Sequence, residues 1–176
     1  DPAVQGSRQA YGNGSGNGVP LVVVVDGVQD PGNLGTIIRS ADAAGATGVL
    51  IGHGSADLYN PKTVRSTMGS LFHLPIVEAR LDEALPQAQE HGICLISAEL
   101  GAVQNCFQYD WRRPTWIIVG NEANGVSDLA RSYVNERVTI PMLGRAESLN
   151  AAMAATVLLY EAMRQRFFSP NKNSCP

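Results

Sequence analysis

The sequence is poor in cysteine and has no long apolar run. Its three cysteines are an odd number without a C-x-x-C pair, which excludes a disulfide scaffold and favours reduced thiols in a reducing compartment. The longest apolar run, residues 19–25, ends at Asp26 and is far shorter than the roughly 18 residues that a membrane span needs. No charged segment followed by an apolar run marks a signal peptide. We therefore predict a cytoplasmic protein that does not enter a membrane.

Charge is also sparse. Charged residues make up 16% of the 176 residues, with a net charge of -3, which argues against a protein that coats nucleic acid by bulk charge. A local basic patch stays open as an alternative. The 44% hydrophobic content excludes disorder throughout, and the length fits one domain of ordinary size.

The two ends of the chain differ in composition from the rest. Residues 1–20 are rich in Gly, Asn and Ser, and no frame in them gives G-x-G-x-x-G. A dinucleotide loop would also follow a strand, whereas this segment precedes one. We interpret residues 1–20 as a flexible linker and residues 169–176 as a tail. Because the chain begins at Asp1 and not at Met, we expect a processed product or a fragment.

Strand-like and helix-like segments alternate after residue 20. The predicted strands are 21–25, 48–51, 75–78, 93–97, 116–120 and 137–140. The predicted helices are 33–44, 62–68, 81–91, 128–134 and 149–167. This alternation predicts an α/β fold with a mostly parallel sheet flanked by helices. Ligands bind at the carboxyl ends of the strands in such sheets.

Three loops that follow predicted strands contain the most unusual residues in the chain. In the first, Pro31 and Gly32 predict a tight turn, and Asn33 suits the start of a helix. Arg39 lies on that helix away from its apolar face, and taken alone it has the character of a solvated arginine. In the second loop, a buried strand runs into Gly120, where the backbone can approach a ligand closely. Its polar groups taken alone would fit a turn that faces water.

The third loop leads into the last helix, for which Ser148 is a good N-cap. That helix carries a stripe with heptad-like spacing: Leu149, Met153, Thr156, Tyr160, Met163 and Phe167. Most such stripes are core, but a helix with many alanines can also pack closely against a second copy. Both interpretations, core and dimer seam, stay open.

Together the three loops resemble a known family. Residues 30–39 (DPGNLGTIIR), 120–125 (GNEANG) and 140–150 (IPMLGRAESLN) closely resemble the three motifs of the SpoU (TrmH-like) branch of the SPOUT RNA methyltransferases. The resemblance covers nearly all of residues 21–167, with the motifs in the family's order and spacing. Any one of these motifs is weak evidence for the family, whereas the three together are specific to it.

The resemblance implies a fold and an activity. Residues 21–168 would form a catalytic domain whose C-terminal segment makes a deep trefoil knot, which composition and periodicity do not show. Members of the family bind S-adenosyl-L-methionine at the knot. They form homodimers through the knot region and C-terminal helix, and they methylate a ribose 2′-hydroxyl in rRNA or tRNA.

The resemblance also assigns site residues. It places Arg39 at the catalytic arginine, with Asn33 and Glu122 positioning RNA and Arg39, and with Ser148 and Asn150 shaping the loop around the methyl donor. Residues at family positions that contact the donor are Gly120, Asn121, Ile140, Met142, Ser148, Leu149 and Asn150.

The methyl transfer that the resemblance implies is consistent with elementary physical chemistry. A ribose hydroxyl is a poor nucleophile that needs a proton acceptor or a cation to stabilise the alkoxide. An arginine stays charged, so we expect Arg39 to orient a phosphate and stabilise negative charge, with the proton passing to a phosphate oxygen as one alternative. His53, His73 and His91 lie outside the three loops, and no His, Cys and carboxylate cluster has metal-ligand spacing. We therefore expect no metal.

RNA affinity requires positive charge near the site. We expect a local patch from Arg39, Lys62, Arg65 and Arg145, doubled across a dimer and extended by Arg112 and Arg113. Two alternatives stay open: a knotted dimer that binds RNA without methylating it, and a nucleotide-binding α/β enzyme of another kind. The latter lacks both G-x-G-x-x-G and the P-loop pattern.

Overall fold

The computed structural model describes residues 18–169. The predicted linker and tail therefore lie almost entirely outside the described residues. None of the helices within 18–169 is long and apolar enough to cross a membrane.

Across residues 18–169, seven strands form a single parallel sheet. The strands are β1 Leu21–Asp26, β2 Gly48–Gly52, β3 Ile76–Ala79, β4 Cys94–Ala98, β5 Gln104–Asn105, β6 Thr115–Gly120 and β7 Glu136–Thr139. Their order is β3-β2-β1-β6-β4-β7-β5, and each neighbouring pair is parallel. The predicted α/β class with a parallel sheet is confirmed. The two-residue strand β5 was not predicted.

Residues 18–169 form five α-helices, of which the first four lie between strands and the last follows β7. They are α1 Pro31–Ala43, α2 Pro61–Ser66, α3 Leu81–Glu90, α4 Asp128–Tyr133 and α5 Ala151–Met163. A 3-10 turn at Ser70–Phe72 follows α2, and a π-helical turn at Arg164–Phe168 follows α5.

The sheet is buried on both faces. Alternate β1 residues Val23 and Val25 pack in one apolar cluster with α1 and α5, while Val22 and Val24 pack in a second with α3 and α4. All of β1 is buried, as its continuous apolar run predicts. Because helices cover both faces, the loops gather at the two ends of the strands. We call the side where the strands end the carboxyl edge and the side where they begin the amino edge.

The helix starts differ from those predicted. Helix α1 begins at Pro31, and its N-cap is Asp30, whose carboxylate accepts from the Asn33 amide at 3.0 Å. Asn33 is thus inside the first turn and not the cap, because proline fits the first helical position and aspartate is a strong N-cap. Likewise the N-cap of α5 is Asn150, not Ser148 as predicted, and its side chain accepts from the amides of Ala152 and Met153.

The predicted stripe on the last helix lies on its outer side. The side chains facing the core are Ala152, Ala155, Leu158, Leu159 and Ala162. In the single chain, by contrast, Met153 is 61% exposed and Tyr160 is 44% exposed. The interpretation of the stripe as core is therefore wrong, because the alanines together with Leu158 and Leu159 form the side of α5 that packs on the core.

A partly buried arginine closes the amino edge. The guanidinium of Arg166 donates to the carbonyls of Val19 and Pro20 ahead of β1, at 2.6 and 3.2 Å, and to those of Trp111 and Arg113 ahead of β6, each at 2.8 Å. Burial lowers the pKa of Arg166 to about 10, so it remains cationic at neutral pH. We call this group the Arg166 clamp; it joins the start of both strands to the end of the helical C-terminal region.

Candidate active site

The carboxyl ends of β1 and β6 lie side by side, because Asp26 pairs with Gly120 in the sheet register. Two side chains form hydrogen bonds with the loops that follow these two strands. The carboxylate of Asp26 accepts from the Ser127 amide at 2.6 Å, and the Asn121 side chain donates to the Gly27 carbonyl at 2.8 Å. The first and second predicted loops therefore form one continuous surface.

Glu122 joins the two loops through its carboxylate. Its oxygens accept from the backbone amides of Gln29 at 3.1 Å and Asp30 at 3.0 Å, and from the Asn33 side chain at 3.2 Å. Partial burial disfavours the charged form of Glu122, but the hydrogen bonds from these amides favour it more strongly. The pKa of Glu122 is therefore held below its ordinary value. Glu122 is therefore a fixed anion at neutral pH that organises the start of α1.

The third loop is joined to the same residues. The Asn150 side chain donates to the Asn33 side-chain oxygen at 3.0 Å, while its own oxygen caps α5. We call Asn33, Glu122 and Asn150 the amide–carboxylate network. It brings together one polar side chain from each of the three predicted loops.

The second loop is folded tightly against the end of β6. Asn121 and Gly125 exchange two backbone hydrogen bonds of 2.9 Å each, and Gly125 has a φ of 69°, which favours glycine. A Cβ at Gly120 would lie 2.2 to 2.5 Å from backbone atoms of Gly125 and Val126. Only glycine fits at position 120 without a shift of this loop.

A cavity of about 610 Å³ opens beside the network. This main cavity is within the size range of small-molecule sites. It is lined by six of the residues predicted to form the site: Gly120, Asn121, Glu122, Ser148, Leu149 and Asn150.

A smaller apolar slot of about 120 Å³ adjoins the main cavity. The predicted donor residues Ile140 and Met142 line it, together with Thr139 and with Ser148 and Leu149, which the main cavity shares. The pair of spaces thus offers a flat apolar recess next to a wider, more polar one. That combination suits a ligand with an aromatic base at one end and charged groups at the other.

Sequence reasoning missed the end of β4. Ala98, Glu99 and Leu100 line both the main cavity and the apolar slot, and Arg131 lines the main cavity. The signal was available, because residues 93–97 were a predicted strand and ligands gather at carboxyl ends of parallel strands. None of the three motifs that carry the family resemblance includes this loop.

The predicted basic residues do not line either space. Arg39 is exposed on α1, next to Ser40, whose hydroxyl lies 2.7 Å from that of Thr156 on α5. Lys62 is 59% exposed, and its Nζ lies 3.8 Å from the Asp30 carboxylate at the start of α1. Arg65 and Arg145 are exposed.

Helix α2 is held beside α1 by a close approach of their backbones. A Cβ at Gly35 would lie 2.4 Å from the Ser66 Cβ and 2.6 Å from the Thr63 carbonyl oxygen. This crossing keeps Lys62 and Arg65 next to the helix that carries Asn33 and Arg39.

Two predicted extensions of the basic patch are wrong. Arg112 pairs with Asp110 and Arg113 with Glu136, each at 2.8 Å. Both arginines precede β6, whereas the site follows it at Gly120. They therefore lie at the amino edge, a strand length away from the network.

The described residues contain no group of three or more His, Cys, Asp or Glu side chains that could hold a metal ion. His73 lies 2.9 Å from the Asp42 carboxylate, and the His91 ring lies 2.7 Å from the Gln87 carbonyl. Cys94 and Cys106 are free thiols, and burial raises the pKa of Cys106.

Comparison with known proteins gives consistent matches. The profile of the SpoU rRNA Methylase family matches residues 20–160. A 23S rRNA (uridine(2479)-2′-O)-methyltransferase from Streptomyces viridochromogenes is 44% identical over 83% of this chain and 53% of its own length. The 23S rRNA (guanosine(2553)-2′-O)-methyltransferase RlmP from Bacillus subtilis is 42% identical over 79% of this chain and 56% of its own length. The chain thus spans about half the length of these curated relatives.

A solved structure shows the same likeness in three dimensions. The SpoU methyltransferase AviRb from Streptomyces viridochromogenes, in complex with the cofactor AdoMet, has a TM-score of 0.80 and 41% identity. The match covers 86% of this chain and 62% of that one.

Proposed function

This chain belongs to the SpoU rRNA Methylase family, and on that premise we propose that it transfers a methyl group from S-adenosyl-L-methionine to a ribose 2′-hydroxyl of RNA. The observation that carries the proposal is the amide–carboxylate network, which joins the three family motifs at the mouth of the main cavity. Ribosomal RNA is the favoured substrate, with tRNA as the other, because both curated relatives above are named for 23S rRNA.

The site has the features that the methyl donor requires. The apolar slot between Ile140, Met142 and Leu149 suits an adenine, and the glycine-walled bend at Gly120 and Asn121 lets the backbone approach the rest of the molecule. When bound, the donor supplies a methyl group on a sulfonium, which is already a good leaving group. The chain's task is to hold the donor and prepare the ribose hydroxyl.

We assign that second task to Arg39. Within residues 18–169, no hydrogen bond or ion pair occupies its guanidinium, which is exposed on α1 two turns after Asn33. A free guanidinium can bind an RNA phosphate bidentately and stabilise the developing alkoxide. The phosphate oxygen is then the proposed acceptor of the hydroxyl proton.

The network fixes the helix that carries Arg39. Glu122 and Asn33 hold the first turn of α1, and Asn150 ties that turn to α5. Ser148 and Asn150 bound the main cavity from the third loop. Lys62, Arg65 and Arg145 are exposed around this region and form the proposed phosphate-binding surface.

We further propose that the enzyme is a homodimer with the family's trefoil knot, acting in the cytoplasm. A groove of about 490 Å³ on the outer side of α5 supports the dimer. Its apolar lining consists of Phe107, Val157, Tyr160, Met163 and Phe168. Membership of the family supports the knot, and residues 21–168 are the proposed catalytic domain. Light scattering coupled to size exclusion measures the subunit number.

Labelled S-adenosyl-L-methionine and ribosomal RNA test the activity. Nuclease digestion should place the label on ribose, and a label on a base nitrogen would contradict the chemistry. Arg39→Ala should lower turnover by about 100-fold or more while leaving donor binding unchanged by calorimetry. Arg80→Ala, which removes an exposed arginine paired with Asp82, is the matched control. Donor binding without turnover on any RNA would instead support a silent RNA-binding dimer.

A further inference from the structure

The main cavity and the apolar slot share one wall. Six residues border both spaces: Ala98, Glu99, Leu100, Ser148, Leu149 and Ala154. In the methyl donor the ribose lies, by covalent structure, between the adenine and the sulfonium. With the adenine in the slot and the sulfonium in the main cavity, the ribose must therefore lie against this wall. Glu99 is its one ionisable side chain.

Glu99 is fixed in place and largely buried. Its backbone amide donates to the Val138 carbonyl at 2.9 Å, and its side chain is only 18% exposed. The Ser97 hydroxyl donates to Oε1 at 3.0 Å, which sets the orientation of the carboxylate. Such a group has a defined position at the end of β4 before any ligand arrives.

The carboxylate keeps unused acceptor capacity. Arg131 Nε lies 3.6 Å from Oε1 and Arg137 Nη1 lies 3.7 Å from Oε2, both too long for direct hydrogen bonds. Among the described residues, Oε2 therefore lies near the positive charge of Arg137 but accepts no direct hydrogen bond. A carboxylate offers about four lone-pair sites, and a largely buried one is stabilised when a ligand supplies the missing donors.

The charges around Glu99 determine which kind of hydrogen-bond donor a ligand can present to it. Two guanidiniums within 4 Å of one carboxylate leave the group with a net positive charge, so an ammonium would meet like charges there. A vicinal pair of neutral hydroxyls would not. Resting on the proposed function, the geometry points to Glu99 as the acceptor for the ribose 2′- and 3′-hydroxyls of the methyl donor, with Ser97 as its positioning residue.

Calorimetry with S-adenosylhomocysteine and its 2′-deoxy and 3′-deoxy analogues tests this assignment without turnover. The native chain should lose about tenfold in affinity for each missing hydroxyl. Glu99→Gln should bind S-adenosylhomocysteine about tenfold more weakly and should discriminate the deoxy analogues by less than about threefold. Ser97→Ala should lose part of the same discrimination. Glu136→Gln, which alters a paired carboxylate on β7 outside both spaces, should behave as the native chain.

Two results would overturn the inference. One is uniform weakening in Glu99→Gln with full discrimination against the deoxy analogues, which would make the carboxylate merely structural. The other is lost discrimination against an analogue without the amino group, which would place Glu99 at the ammonium. Failure of the native chain to bind S-adenosylhomocysteine at all would instead contradict the proposed function.

Discussion

The sheet is closed at its two edges by hydrogen-bonded groups of opposite character. At the amino edge, the Arg166 clamp gathers four carbonyls around one partly buried cation. At the carboxyl edge, the amide–carboxylate network joins three loops through side chains that remain accessible. Buried hydrogen bonds to charge contribute strongly to stability, whereas accessible ones contribute little. We therefore expect substitutions in the clamp to lower mainly stability and substitutions in the network to lower mainly ligand binding.

The largest effect should come from the clamp. Arg166→Ala removes a donor from four carbonyls, of which those of Pro20 and Arg113 keep a hydrogen bond from Thr115, and we expect a loss of about 2–3 kcal/mol in the free energy of unfolding. Urea denaturation measures this loss, and donor affinity of the folded protein should stay unchanged. Arg112→Ala, which breaks an exposed pair at the same edge, should change neither quantity. A large loss of donor affinity in Arg166→Ala would show that the two edges are not independent.

The next effect should come from Gly120→Ala. The new Cβ would collide with the backbone of Gly125 and Val126, so the loop must move at a cost of about 2–3 kcal/mol. Because this loop forms a wall of the main cavity, donor affinity should fall by about tenfold or more. Calorimetry and denaturation are measured together. Gly18→Ala is the control, since neither glycine has a positive φ and no atom lies within 4 Å of a Cβ at Gly18.

Asn150→Ala should have a smaller effect on stability. It removes the N-cap of α5 and the link to Asn33, and loss of such a cap costs about 1 kcal/mol. Asn150→Asp keeps the cap but cannot donate to Asn33. It should therefore recover stability without recovering turnover. Equal recovery of both would mean that the link to Asn33 has no part in the reaction.

The smallest effect concerns pH. Because the pKa of Glu122 is lowered in the folded chain, its contribution to stability is present above its ordinary value of 4.5 and is lost as the pH falls through the folded pKa. The difference in unfolding free energy between the native chain and Glu122→Gln should be constant from pH 6 to 8 and shrink in acid. Denaturation across this pH range checks it, and a difference that grows in acid would contradict the network.

Part of this structure follows from local sequence and part does not. The alternation of segments predicted the parallel sheet, and the apolar run of β1 predicted a strand buried on both faces. The starts of α1 and α5 were misplaced although Asp30 before Pro31 is a usable capping signal. Resemblance to a family, and not local pattern, brought Asn33, Glu122 and Asn150 to one site.

The Arg166 clamp shows why the rest could not be predicted. Its partners lie 55 and 146 residues away in the chain, and nothing near Arg166 in sequence distinguishes it from the exposed Arg164. Glu99 is similar, since its importance comes from the two spaces that meet at β4. Both depend on how distant segments pack.

The position of β1 has a consequence for how the chain folds. Strand β1 lies between β2 and β6 in the sheet, so Leu21 must pair with Thr115, which is synthesised about ninety residues later. At synthesis rates of about 5–20 residues per second, several seconds pass in which the β6 side of this largely apolar strand has no partner strand. Long-range parallel pairing of this kind is also intrinsically slow. The nascent protein is therefore most vulnerable to aggregation before β6 leaves the ribosome.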